Sequence, residues 1–189
     1  MKIINLFGHF LLDILETIVI AGVVFAIFYF LIAQPHQVQG DSMFPNLKTG
    51  EFILTNKLSL RFNELERGDI IVFKYPRNQR VDYIKRIVAL PNEEIMIKNN
   101  EVFIFNNENP SGFKLEEDYL TQDIITTGRV TIQEGQKFLV DQNSYIVFGD
   151  NRERSSDSRE WGIVNKDLIL GKAWIRYWPP QSFAKLSEI

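Results

Sequence analysis

The chain contains no cysteine, which excludes disulfides, thiolate nucleophiles and cysteine-held zinc or iron–sulfur centres. Histidine is nearly as scarce. His9 and His36 are the only two, too few for a His-rich metal site. There is no basic surplus either. The net charge is −3 over 189 residues, which gives no electrostatic case for a nucleic-acid partner. Internal repeats and low-complexity tracts are absent. No long helical period follows residue 35. What the chain does have is apolar bulk: 45% of residues are hydrophobic and Phe alone supplies 15, enough for a real core.

One long apolar run stands out. Ile18 to Ala33 reads IVIAGVVFAIFYFLIA, without a charge. Extended back to Ile14 it reaches about 20 residues, the length of a helix that crosses the hydrocarbon of a bilayer. Tyr29 suits an interfacial position near its end. A cleaved leader is the rival reading, but it needs small residues at the cut, and Leu31-x-Ala33 fits poorly. Asp13 and Glu16 are also wrong for a basic leader region. The run is therefore expected to be an uncleaved anchor. Lys2 precedes it and the next basic side chain is Lys48, which places the short N-terminus in the cytoplasm and the bulk outside, with residues 1–33 forming the cytoplasmic stub and the membrane anchor.

Beyond Pro35 the pattern changes to short runs rich in Val, Ile, Phe and Tyr. Glu51–Leu58, Asp69–Tyr75 and Val81–Leu90 read as strands. Glu94–Phe105 reads as a hairpin about Asn99-Asn100, because asparagine tolerates positive φ. Arg129–Ile132, Lys137–Val140, Tyr145–Phe148 and Ala173–Trp178 are later candidates. Gly50, Gly68, Gly135 and Gly149 punctuate the series. These strands predict a mostly β fold: a compact, partly closed antiparallel β domain over 34–189. The polar stretch 106–128 is expected as a loop or flap, within a small cap insertion at about 92–144.

The shortage of imidazole restricts the chemistry. Ser42 lies in Gly40-Asp41-Ser42-Met43-Phe44-Pro45, beyond the apolar run. It is either a turn residue or a nucleophile. His9 should lie across the membrane from it. His36 is six residues upstream, roughly 20 Å away in an extended chain at about 3.3 Å per residue, and reads as a surface residue at the membrane exit. Lysine is the base that remains. Lys85 shares a strand face with Val81, Tyr83, Ile87 and Ala89. Such neighbours strip water from an ammonium and lower its pKa, and a neutral amine can take a serine proton. The plainer reading is a strand lysine whose stem lies on apolar surface while its head reaches water. The segment Phe148–Gly162 interleaves acids, arginines and hydroxyls. It is either a solvated charged loop or an ion-pair network that fixes a loop beside a site.

Three segments together, GDSMFPNL at 40–47, DYIKRIVALP at 82–91 and FGDNRERSSDSREWG at 148–162, resemble the type I signal peptidases of the bacterial serine–lysine kind. Their order, their spacing and their position after a single span all agree. The resemblance implies a membrane-anchored serine endopeptidase that removes signal peptides from exported preproteins. It implies Ser42 as the nucleophile, Lys85 as the general base and Ser155 as the residue that orients the lysine amine. The Ser42 backbone N–H is implied as an oxyanion donor. Asp157 pairs with Arg159 and Asp150 with Arg86 in this reading, with Gly149 beside them as part of the structural support. Val38, Met43, Leu47, Asp82, Tyr83 and Ile84 are implied to bind substrate in shallow pockets. No metal or cofactor is implied. The partners are preproteins and membrane lipid, not nucleic acid, and the catalytic domain faces outward from the plasma membrane.

The chain departs from the commoner family pattern in places. Gly40 stands where some members carry a serine whose hydroxyl joins the oxyanion hole. Asn46 replaces the usual threonine after proline. Ala89, Asn92 and Glu93 replace a glycine-containing turn, which Asn92 can still make in left-handed geometry. The rival readings are a self-cleaving serine–lysine peptidase of the repressor type, which the membrane span disfavours, and a catalytically inactive tethered scaffold or peptide-binding domain, which the intact Ser42, Lys85 and Ser155 disfavour.

Overall fold

The computed structural model describes residues 2–62, 64–121 and 124–186. Positions 122 and 123 of the expected loop, and the last three residues of the expected β domain, lie outside that description.

Helix α1 runs from Lys2 to Ile27 and continues into a single wider π-type turn, Phe28–Ile32. Its 19 residues from His9 to Ile27 are apolar enough to cross a membrane, and none of that surface is covered by the rest of the protein. Helical geometry persists to Ile32 and gives way to extended chain at Ala33. Ala33 is buried and opens strand β1, Ala33–Gln37. Pro35 accounts for the shift. It has no N–H to continue a helix, and it pushes the residue before it toward extended geometry.

The remaining strands are β2 Phe52–Asn56, β3 Ile70–Tyr75, β4 Asn78–Ala89, β5 Glu94–Lys98, β6 Glu101–Phe105, β7 Phe113–Lys114, β8 Lys137–Leu139, β9 Ser144–Phe148, β10 Val164–Asn165, β11 Ile169–Trp178 and β12 Ala184–Lys185. Helices α2, Ser59–Phe62, and α3, Ser158–Trp161, are one turn each. The larger sheet has the order β1-β2-β11-β3-β4-β9-β10, with β12 added to β11. The smaller has the order β7-β6-β5-β8. All of these strand pairs are antiparallel.

Local chemistry explains the turns. Asn99 and Asn100 both take positive φ, 53° and 67°, as the two-residue hairpin between β5 and β6 requires. Asn92 does the same at 66°. Arg129–Ile132 is not a strand. Its amides are drawn off the sheet: Thr131 and Ile132 both donate to the Arg159 carbonyl. Ile132 instead plugs the core.

The core has three parts. Val88, Ile95, Ile104, Ile146 and Phe148 pack where the two sheets meet. Ile71, Phe73, Ile87, Val147 and Trp161 fill a second cluster. Val38, Met43, Leu47, Ile53 and Val72 fill a third. Each such side chain contributes roughly 1.5–3 kcal/mol when removed from water. The first cluster spans both sheets, so the smaller sheet is packed into the domain and not merely laid over it.

Candidate active site

Ser42 sits at the start of a tight turn that ends at Leu47. Phe44 N–H donates to the Asp41 carbonyl at 3.1 Å and Leu47 N–H to the Met43 carbonyl at 2.8 Å. Met43 and Leu47 drive the inner face of the turn into the third core cluster. Gly40 enters the turn at φ +84°, a left-handed value that glycine adopts without penalty. The Ser42 carbonyl accepts from Asn151 N–H at 3.0 Å, which ties the turn to the charged segment after β9. The result holds the Ser42 hydroxyl outward, half-buried, on a rigid base.

Lys85 comes from β4, opposite Ile71 of β3. Its Nζ donates to Ser42 Oγ at 2.7 Å and to the Ile84 carbonyl at 2.9 Å. The Tyr83 ring lies 5.1 Å from the amine. The residue is only 4% exposed. Removal from water pushes the amine down from its ordinary value to about 8, although Asp157 and Asp150 pull the other way. Both carboxylates are already engaged by arginines, which explains why dryness wins.

Those ion pairs are built into the frame. Arg86, next to Lys85, holds Asp150 through Nε at 2.9 Å and Nη2 at 2.8 Å. Asp157 caps α3 and is gripped by Arg159 through Nε and Nη2, each at 2.8 Å. Gly149 N–H donates to Asp157 Oδ2 at 3.1 Å. Burial alone would raise the Asp157 carboxyl, but the Arg159 guanidinium outweighs it and holds the group below its ordinary value. Two-pronged pairs of this kind fix direction as well as distance.

A serine hydroxyl and a dry lysine amine in hydrogen-bond contact can perform acyl transfer, and comparison with known proteins agrees. Residues 11–178 match the family model described as signal peptidase, peptidase S26. The chain belongs to the signal peptidase family. It is 31% identical to signal peptidase IB of Staphylococcus aureus over 185 residues, 90% of this chain and 93% of that one. It is 38% identical to signal peptidase I of Bacillus caldolyticus over 154 residues, 78% and 80% of the two chains. A crystal structure of a signal peptidase I from Enterococcus faecalis is 29% identical, with a TM-score of 0.47, over 58% of this chain and 97% of that one. Membership carries the activity of a membrane serine endopeptidase that removes signal peptides by a Ser/Lys dyad.

Beside the Ser42–Lys85 pair lies a cleft of about 570 Å³. Val38, Asp82, Tyr83 and Ile84 line it, together with Gly40, Arg154 and other residues of both strand edges. Met43 and Leu47 do not, contrary to expectation. They are fully buried behind the wall, where they position Ser42 through packing. Ser155 is brought to the site but not to the amine. It is buried and no hydrogen bond to Lys85 is seen among the described residues; its hydroxyl lies beside Asp157 and helps hold that carboxylate below its ordinary value. Gly149 leaves the space it occupies, since a Cβ there would overlap Ser155 Oγ and the Ser42 carbonyl.

His36 also differs from its expected place on the surface. It lines the cleft, with Nδ1 and Thr55 Oγ1 3.0 Å apart and Nε2 4.0 Å from Asp82. Burial lowers its pKa against the opposing pull of Asp82. Sequence reasoning missed this because it did not expect β1, whose pairing places His36 opposite Ile53 of β2. It also missed Tyr119, whose half-buried ring lies 4.0 Å from the Arg86 guanidinium. A lone aromatic within an acidic stretch was the available signal.

Proposed function

We propose that Ser42 is the nucleophile that cleaves preproteins after the signal peptide, and that Lys85 takes its proton. The 2.7 Å contact between a dry amine and an outward-facing hydroxyl supports this reading above all else. A preprotein lies extended along the Val38–Ser42 and Asp82–Ile84 edges and pairs by backbone hydrogen bonds. Small side chains enter the shallow cleft walled by Val38 and Ile84. Ser42 Oγ attacks the scissile carbonyl as its proton moves to Lys85 Nζ. The ammonium then protonates the departing amine. An acyl-enzyme is left, and water hydrolyses it with Lys85 again as base.

The Ser42 backbone N–H serves the developing oxyanion. No group among the described residues accepts from it, so it is available. Ser155 acts on the amine through a short movement of its buried hydroxyl as substrate enters. Residues 1–33 form stub and anchor, and 34–189 the catalytic domain, in which the smaller sheet is the cap. The domain faces outward and rests on lipid. The chain leaving α1 enters β1, which pairs with β2, and β2 pairs on its other side with β11, and Trp174, Trp178 and Phe183 on and after β11 project exposed aromatic rings, as an interfacial surface requires.

The test is processing of a signal-peptide-bearing preprotein in proteoliposomes, read by mass spectrometry of the new N-terminus. Ser42→Ala and Lys85→Ala are each expected to abolish it while the melting transition persists. Near wild-type processing by Lys85→Ala would refute the dyad.

A further inference from the structure

Asn46 lies one turn beyond Ser42, and its side-chain amide has two acceptors in front of it. Nδ2 donates to Asp150 Oδ2 at 2.8 Å and to the Tyr119 backbone carbonyl at 2.9 Å. Both neighbours can only accept, so only the NH2 end of the amide can face them. Its backbone carbonyl accepts from Arg176 Nη1 at 2.8 Å. Through its side chain, three parts of the chain distant in sequence therefore meet: the Ser42 turn, the segment that supplies Asp150, and the loop that carries Tyr119.

Each partner leads back to the dyad. Asp150 is gripped in two-pronged fashion by Arg86, the residue beside Lys85 on β4. The Tyr119 ring stacks on the same Arg86 guanidinium. Tyr119 is held in turn by its hydroxyl, which donates to Glu117 at 2.6 Å, and Glu117 pairs with Arg152. One path therefore runs from Ser42 through Asn46, Asp150 and Arg86 to Lys85. The other direct tie from the turn to this frame is Asn151 N–H to the Ser42 carbonyl.

We infer that Asn46 is a positioning residue that sets the Ser42–Lys85 separation and locks the 115–121 loop onto the Arg86–Asp150 pair. This rests on the reading of Ser42 and Lys85 as the reacting pair. The amide is suited to the task because it carries two hydrogens on one nitrogen. A hydroxyl, as in a threonine side chain, has one hydrogen and can satisfy Asp150 or the Tyr119 carbonyl, not both. Misplacement of a reacting group by about 1 Å costs on the order of 10²-fold in rate, so a clamp of this kind acts on turnover and not on substrate affinity.

The test uses the full chain in detergent with a fluorogenic peptide that spans a signal-peptide cleavage site. Asn46→Ala should lower kcat about tenfold or more and leave KM within about twofold. Asn46→Thr should recover kcat to within about threefold of wild type, because one donor returns. Its amide exchange over residues 117–121 should still be faster than in wild type, because the second donor is missing. Asn46→Asp keeps the volume but sets an acceptor against two acceptors, and should be as slow as Asn46→Ala. A folded Asn46→Ala with kcat within twofold of wild type would overturn the inference, as would Asn46→Thr no faster than Asn46→Ala. If Asn46→Ala does not fold, Asn46→Asp decides by the same twofold criterion. Ser42→Ala in the same assay reports separately on the dyad: cleavage by that variant would refute the reading beneath the inference, whatever the Asn46 variants do.

Discussion

A lysine that must be neutral to work should leave two marks, one on rate and one on stability. Burial lowers the Lys85 amine to about 8 from an ordinary 10.5. Catalysis should therefore rise with pH, and kcat/KM should show a rising limb centred near 8, well below the value for a solvated lysine. Stability follows by linkage. Between pH 8 and 10.5 the unfolded chain binds more protons at this site than the folded one, so stability rises with pH there. Below pH 8 the penalty of holding an ammonium in a dry place is fully present. Lys85→Met should accordingly be more stable than wild type at pH 7, by about 3 kcal/mol at most given about 1.4 kcal/mol per pKa unit. That advantage should fade as pH approaches 10.5. Denaturant unfolding at several pH values checks this, and a wild type more stable than Lys85→Met at pH 7 would contradict it. The apolar face of Lys85 was legible from strand alternation, but that pattern fits a lysine head reaching water as well, and only the resemblance of the three segments pointed to a reactive amine. The burial of His36 was not legible, because it depends on a strand partner nearly twenty positions away, and pairing of that kind leaves no mark in local composition.

At the scale of elements, the loop after β9 is held by backbone proximity as much as by charge. Gly149 is where three pieces touch: its own strand end, Ser155 and the Ser42 carbonyl. Gly149→Ala puts a methyl against both the Ser155 side chain and the Ser42 backbone carbonyl, and the carbonyl does not yield as the end of a flexible side chain would. The expected result is loss of most activity together with a destabilisation of roughly 1–3 kcal/mol, the range for overpacking, measured by thermal melting and peptide cleavage. Activity near wild type would mean that the Ser42 turn is not seated as described. The strands themselves were largely legible from runs of β-branched and aromatic residues, and the Asn99-Asn100 hairpin from its turn chemistry. Arg129–Ile132 misled because its apolar residues read as a strand, while its amides go to Arg159 instead of a neighbouring strand. Met43 and Leu47 misled for a related reason. Nearness to Ser42 in sequence says nothing about which side of the turn a residue faces, and the core claims both.

For the whole molecule, the division of labour between helix and domain can be tested directly. The His9–Ile27 surface has no protein covering it, so that stretch of α1 adds nothing to the packed core. A chain begun at Ala33 should keep the β fold, with a melting transition close to that of the detergent-solubilised parent. It should also cleave a soluble peptide with kcat within a few-fold of the parent, since every group that holds Ser42 and Lys85 lies beyond β1. What it should lose is efficiency against a membrane-embedded preprotein. Enzyme and substrate confined to one surface meet at a high effective concentration, and that gain can reach 10²–10⁴ when tethering geometry permits. Preprotein processing in vesicles should therefore fall by at least tenfold while peptide cleavage hardly changes. The residual activity should depend on the aromatic face: Trp174→Ser and Trp178→Ser in the truncated chain should reduce flotation with vesicles and lower vesicle processing further, again without a change in peptide cleavage. If the truncated chain instead lost both activities together, α1 would have to support the active site itself, and the separation of anchor from catalytic domain would not hold.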